Sequence, residues 1–246
     1  MNKHLVTAIT SLLIGTASMS SIATAQDNQT WQPTQQQITP QTIEDPVMIQ
    51  INYLQTEWAR IKYQLVDEDR QLNEIHMLED HAEKVTAHYP DRAEPKIWEG
   101  IILSTDAGIV KGMSALGKVK KAKELFEQSL ALDPYAMNGS AHTSLGSLYY
   151  QVPGWPIAFG DDDKAETHLK MAIKMNPNGI DPNYFYGDFL LHKERYSEAR
   201  AYLTHALNAQ DRPNRVVADQ GRRQEIKAAL AKIKQKDKNS EKTNYN

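Results

Sequence analysis

Three stretches of the chain repeat one spacing of large, small and polar positions. Each has an alanine, a large apolar residue four on, a small residue three further, then Leu or Ile, and a helix-stopping residue four beyond. Ala122, Phe126, Ser129, Leu130 and Pro134 set the pattern; Ala165, Leu169, Ala172, Ile173 and Pro177 repeat it, as do Ala199, Leu203, Ala206, Leu207 and Asp211. Offsets of four, seven and eight fall on one stripe of an α-helix. A glycine precedes each stripe (Gly100, Gly146 and Gly187), where a first helix packs too closely against its neighbours for a side chain. The spacing therefore predicts helix pairs, repeated along the chain.

The same periodicity extends outward in weaker form. Asp45-Pro46 is a helix start, with a capping side chain followed by a proline whose missing N–H does no harm. Ile51, Leu54, Trp58, Ile61 and Leu65 follow at helical spacing, then Leu72, Ile75, Leu78, Ala82 and Val85 up to Tyr89-Pro90. These two runs read as a degenerate leading unit over residues 45–90. At the other end, Ile226, Leu230 and Ile233 give Val216–Ile233 one apolar face, opposite Arg222, Arg223, Glu225, Lys227 and Lys232. That is the make-up of a helix capping a stack over residues 215–233. Residues 234–246 are rich in Lys, Asn and Asp and read as a disordered tail.

The stops measure the units. Pro90 to Pro134 is 44 residues, Pro134 to Pro177 is 43, and Pro177 to Asp211 is 34, which defines units of about 91–134, 135–177 and 178–211. The first two carry about ten extra residues relative to a period of ~34. From the glycine to the next alanine is 22 residues in the first unit, 19 in the second and 12 in the last. The extra residues thus fall between the paired helices, around Thr105–Leu116 and Val152–Asp162, and are expected as loops along one rim.

The N-terminus reads differently. Lys3 and His4, the apolar stretch Leu5–Ile14 and Ala23-Thr24-Ala25 have the layout of a cleavable secretory signal over residues 1–25. Its apolar run is shorter than the ~20 residues of a spanning helix. Residues 26–44 are rich in Gln, Pro and Thr and read as a flexible linker. The expectation is a periplasmic protein with no membrane span after signal cleavage. The formal net charge of −3 gives no electrostatic reason to hold nucleic acid. The chain has no cysteine, which excludes disulfides, thiol catalysis, cysteine-based metal sites and lipid attachment at a lipobox cysteine.

Leu145-Gly146-x-x-Tyr149 and Tyr186-Gly187-x-x-Leu190, each paired with an alanine/apolar/small second helix, resemble the tetratricopeptide repeat (TPR) family from about residue 91 to 211. The segments Leu148–Pro156 with Phe159-Gly160-Asp161, Gly179–Asp188, and Leu116-Gly117-Lys118-Val119 are similar to an exported bacterial repeat group. That group is itself similar to the T component of tripartite periplasmic (TRAP) transporters. The resemblance implies an all-α fold, a TPR-like right-handed solenoid of three to four helix pairs with long intra-repeat loops and a C-terminal capping helix. It implies a protein or peptide partner in the cell envelope, a periplasmic solute-binding protein being the TRAP case. T components are typically lipid-anchored through an N-terminal cysteine that this chain lacks.

In such a stack the first helices line a groove. Counted from the motif glycine, its positions are Thr143, Ser147 and Tyr150 in one helix and Tyr184, Asp188 and Leu191 in the next, with His192 adjacent. Hydroxyls and rings suit an extended peptide, while Tyr150 and Tyr184 equally fit packing between helices. Val152-Pro153-Gly154-Trp155-Pro156 is a stiff loop, and its Trp155 either faces a partner or folds inward as a plug. Asp161-Asp162-Asp163 lacks the glycine and distal glutamate of a calcium loop and reads as a helix cap, as does Asp181-Pro182. His76 and His81 are five apart and do not share a helical face. No nucleophile elbow, P-loop or dinucleotide fingerprint is present, and no cofactor or metal is implied. The reading is a non-enzymatic protein-binding adaptor using Thr143, Ser147, Tyr150, Trp155, Tyr184, Asp188 and His192. The alternative is a small-molecule-binding accessory of a TRAP-type system.

Overall fold

The computed structural model describes residues 44–110 and 112–243, with side chains as far as residue 237. The expected signal peptide, and the linker up to residue 43, lie outside the described residues. Those residues form nine α-helices and no β-strand. The helices are α1 (Pro46–Gln64), α2 (Glu68–His88), α3 (Ala93–Val110), α4 (Gly112–Leu132), α5 (Ser140–Gln151), α6 (Asp162–Met175), α7 (Ile180–His192), α8 (Tyr196–Leu207) and α9 (Val216–Thr243). Short 3₁₀ turns at Ala136–Asn138 and Pro213–Arg215 precede α5 and α9.

The sequence explains where helices begin. Asp45 accepts from the Val47 N–H at 3.0 Å, and Asp161 accepts from the Lys164 N–H at 3.0 Å, each satisfying a donor left free in a first turn. Asp181 corrects the sequence reading. Gly179 caps α7, so Asp181 lies inside the helix and its carboxylate serves arginines instead.

The repeated stripe is where each pair of helices meets. Phe126, Leu169 and Leu203 are fully buried, as are Ala122, Ala165 and Ala199. The glycines meet the large residue of each stripe. A β-carbon on Gly100 would lie 2.5 Å from the Phe126 ring, and one on Gly146 would lie 2.5 Å from Leu169. On Gly187 it would lie 2.8 Å from Leu203. Contacts closer than 3 Å cannot be accommodated in a close-packed interior without displacement. Consecutive helices pack on one another, most extensively α3 on α4, α7 on α8 and α5 on α6, while α2 packs on α3 as well as on α1.

The two insertions behave differently, which corrects the expectation of two long loops. Around Thr105–Leu116 the chain stays helical, α3 running to Val110 and α4 starting at Gly112, so the extra residues lengthen both helices. Nothing there but glycine opposes helix formation, and Gly112 supplies the left-handed turn between the helices at φ 73°. Val152–Asp161 is a true loop, since Pro153 and Pro156 break the helical ladder. Gly160 donates to the Pro153 carbonyl at 2.9 Å and Asp161 to that of Tyr149 at 2.9 Å, which pins both ends.

The odd-numbered helices form a closed cycle of neighbours: α1 packs on α3, α3 on α5, α5 on α7, α7 on α9, and α9 on α1. The last link goes beyond the expected cap, because α9 covers α7 and α8 and also the first helix. Ala218 belongs to the hydrophobic cluster built from Ile51, Leu54, Trp58 and Ile61 of α1. A β-carbon on Gly221 would sit 2.3 Å from the Tyr63 ring, so glycine is what lets the two helices approach. Beyond Ile233 the helix continues to Thr243, through most of the segment whose composition reads as a disordered tail.

Candidate functional site

A cavity of about 1410 Å³ lies inside the cycle, and α1, α3, α5, α7 and α9 all contribute to its lining. Its walls differ in chemistry according to the helix that supplies them. Trp58 from α1 and Trp98 from α3 meet edge to face with ring centres 5.8 Å apart, and Ile101 continues this aromatic and apolar wall. The Trp58 indole N–H donates to Thr105 Oγ1 at 2.8 Å, fixing that ring. From α4 come Leu116, Val119 and Phe126. From α5 come Thr143, Ser144, Ser147 and Gln151, a polar stripe at helical spacing.

The wall next to α9 is ionic. Arg222, with a side chain only 6% exposed, donates from Nε to Asp181 at 2.9 Å and pairs with Glu225. Its guanidinium lies 4.4 Å from the Tyr184 ring centre and 4.6 Å from that of Phe185. Arg212 bridges Asp181 at 2.9 Å and Asp219. Lys62 reaches Glu225 at 3.1 Å. Burial by itself would raise the Asp181 carboxyl; the charges of Arg222, Arg212 and Arg215 outweigh it and hold the group well below the usual carboxylate range. Burial, then the neighbouring Arg222, push the Lys62 ammonium down.

Two donors in this region have no partner within the protein. Nε of Arg215 and the indole N–H of Trp98 are buried and make no hydrogen bond, and the Arg215 guanidinium stands 5.0 Å from the centre of the Trp98 ring. Burial lowers the Arg215 pKa. Backbone strain occurs at the same cavity: Met137 and Asn138, both in its lining, hold left-handed conformations at φ 50° and 58°. Such conformations cost about 1 kcal/mol or more each in a non-glycine residue.

The residues singled out from sequence divide into three groups. Thr143, Ser147 and Tyr184 line the cavity. Tyr150 is buried between α5 and α7, donates its hydroxyl to Asp188 at 2.7 Å and packs on Phe189, with His192 5.9 Å away across an exposed edge. Burial and the Asp188 charge raise the Tyr150 pKa well above its ordinary value. This trio joins two helices and is not part of the cavity lining. Trp155 is 90% exposed at the tip of the 152–161 loop, which settles its orientation as outward, and Ile157 of the same loop is 63% exposed. Pro153 and Ile157 border the cavity, so the loop stands at its rim.

Sequence reasoning missed the ionic wall. Arg222 reads as solvated because it lies opposite Ile226, Leu230 and Ile233 in composition, yet Arg215, Asp219, Arg222 and Ile226 follow one another at spacings of four, three and four. That continuation of the buried stripe was the available signal. Also missed was a histidine pair, His142 Nδ1 and His168 Nδ1 at 2.9 Å, half-buried between α5 and α6 with Tyr149 stacked on His168. Burial and then the neighbouring His142 push His168 down to about 4, and burial lowers His142. His76 and His81 turn to different partners, Asp106 at 3.2 Å and Gln50 at 3.2 Å. Among the described residues no group of three or more His, Cys, Asp or Glu is placed to hold a metal ion, and no helix is long and apolar enough to cross a membrane. No family model matches the chain, and no curated protein matches it.

Proposed function

We propose that this protein is a non-enzymatic binding component of the bacterial cell envelope, built as a TPR-like solenoid of helix pairs whose first helices enclose a small-molecule site. The observation that carries the reading is the cavity lined by all five odd-numbered helices, with an aromatic wall, a hydroxyl-bearing stripe and an ionic wall. Ligand sites are usually largely apolar with a few convergent polar groups, and occupy ~300–1,000 Å³. This one matches that make-up and is larger. Export rests on the signal-like residues 1–25, and a role beside a periplasmic solute-binding protein rests on the resemblance to TRAP T components.

Native mass spectrometry of the protein purified from the cells that make it tests the reading. The expected result is a bound compound, lost when Ser147→Trp fills the cavity. Bare protein in both preparations overturns it.

A second reading, docking of a protein partner, is favoured by the exposure of Trp155 and Ile157 on a loop held at both ends by backbone hydrogen bonds. Rigidly presented tryptophans contribute strongly at interfaces because little side-chain freedom is lost on binding. A photo-reactive residue at position 155 should crosslink to one recurrent envelope protein. Crosslinks within the chain alone overturn this reading.

A further inference from the structure

We propose that Lys62 is a covalent attachment point in the cavity, its amine condensing reversibly with the carbonyl group of an aldehyde or ketone that has an apolar body. The proposal rests on the small-molecule reading above and specifies the ligand's chemistry.

The geometry singles out this amine. Among the described residues Lys62 is the one lysine in the cavity lining, and its side chain keeps 27% of its surface exposed. Nζ lies 5.3 Å from the centre of the Trp58 ring and 5.0 Å from that of Tyr63, so aromatic groups replace part of its water. It reaches Glu225 at 3.1 Å, but Arg222 holds the same carboxylate more closely and the Tyr63 hydroxyl donates to it at 3.3 Å. Charge then decides the state of the amine. Around it Arg212, Arg215 and Arg222 face Asp181, Asp219 and Glu225, three of each sign. A protonated Lys62 would be a fourth cation with no carboxylate of its own. Arginine keeps its proton, whereas lysine gives one up in such surroundings.

Burial, and then Arg222, hold the Lys62 pKa below the ordinary lysine value, outweighing the pull of Glu225 and Asp181. The neutral amine still donates to Glu225 and has a lone pair left over. A lysine desolvated beside another cation is the form that attacks carbonyl carbon. The lone pair on Nζ adds to that carbon, and one proton passes from nitrogen to oxygen to give a carbinolamine. The hydroxyl then leaves with the second N–H proton as water, and the C=N bond remains. No oxidant or reductant takes part, and water reverses the step. The body of the ligand follows from the accessible walls. Ile101, Leu116, Tyr184 and Phe185 line the same cavity and are each partly exposed. The volume of about 1410 Å³ leaves room for a body much longer than a short-chain aldehyde.

Octanal is the probe, added to the full chain near neutral pH with cyanoborohydride, whose hydride reduces each imine to a stable secondary amine that peptide mass mapping then locates. Lys62 is expected to be labelled at least about tenfold faster than the exposed Lys227 and Lys232 of α9, because the neutral fraction of an amine rises about tenfold for each unit its pKa falls. This comparison is made within one wild-type molecule, so it does not depend on a variant folding. Lys62→Met should remove the fast site and leave labelling at Lys227 and Lys232 unchanged, with circular dichroism as the check on folding. Octan-1-ol has the same body without the carbonyl; it should bind by calorimetry and slow the labelling of Lys62 alone. If octan-1-ol binds and Lys62 is labelled no faster than Lys232, the attachment assignment is overturned while the cavity reading stands. If octan-1-ol neither binds nor slows the labelling, the cavity reading falls and the attachment assignment with it.

Discussion

The seam between α3 and α4 and the junction of α9 with α1 and α7 place their charges differently: at the seam two ion pairs flank an apolar stripe, and at the junction an ionic cluster is the contact itself. At the seam, Phe126 fills the place that Gly100 leaves open, and a fully buried alanine and serine lie on the same stripe. Flanking that stripe, Lys118 and Lys121 of α4 reach the buried carboxylates of Asp106 and Glu99 on α3 at 2.7 and 3.0 Å. At the junction, Gly221 again allows close approach, here to Tyr63, but the surrounding contacts are Lys62, Arg212, Asp219, Arg222 and Glu225 in mutual pairs. The stripe of the seam gains stability from apolar area, at roughly 25 cal/mol per Å². The junction gains little net stability from its charges, because desolvation offsets attraction, and instead fixes which groups meet and in what register.

The difference can be attacked from both sides. Phe126→Ala should cost about 3–5 kcal/mol, since it removes a fully buried ring and Gly100 cannot fill the space; urea unfolding measures it, and a loss below ~1 kcal/mol would break the account of the seam. Asp181→Ala strands Arg222 and Arg212 beside a partly exposed carboxylate site, and should cost about 2–4 kcal/mol. Replacing Asp181, Arg212 and Arg222 together by apolar residues should cost less than Asp181→Ala alone, an outcome a purely attractive network would not give.

Acid separates the junction from a third contact, the histidine pair between α5 and α6. The folded state holds the His142–His168 pair with fewer protons than the unfolded chain does, so its contribution is complete above pH 6.5 and is lost as pH falls toward about 4. The amount is about 1 kcal/mol once discounted for the half-buried rings, and His168→Gln should flatten most of the slope. Asp181, held low, keeps the junction intact through that window and contributes its own loss only below the ordinary aspartate range. Stability measured from pH 7 to pH 4 in both variants checks the order. Smallest of all, Trp155→Ala should change stability by less than ~0.5 kcal/mol, because the ring is exposed; a larger loss would show the loop to be part of the framework.

The contrast also explains what could be read in advance. The stripe at Ala165, Leu169 and Ala172 was legible because apolar periodicity and burial are the same fact seen twice. Gly146 was legible for the same reason, as the blank that Leu169 needs. Arg222 was not, because an arginine is buried only if carboxylates from elsewhere reach it, and Asp181 lies 41 residues away. Thr143, Ser147 and Tyr184 were found by counting from the glycine, whereas Asp188, found by the same count, and His192, adjacent to it, turn to Tyr150. Helical spacing gives the face a residue lies on, and neighbours on other helices decide what it meets. The helical insertion at 105–116 went unread because loop length was inferred from a period rather than from the residues.

The bond from the Tyr63 hydroxyl to Glu225 spans 162 positions of the chain. A linear array of stacked units can unravel from either end, each terminal unit detaching without disturbing those further in. Here α1 and α9 are fastened to each other, so among the described residues neither end of the array is free to peel. Detaching either of these helices means giving up contacts of very long range, which close late and slowly during folding. The molecule should therefore open as one cooperative unit, with its slowest-exchanging amides including α1 and α9 as well as the middle of the array.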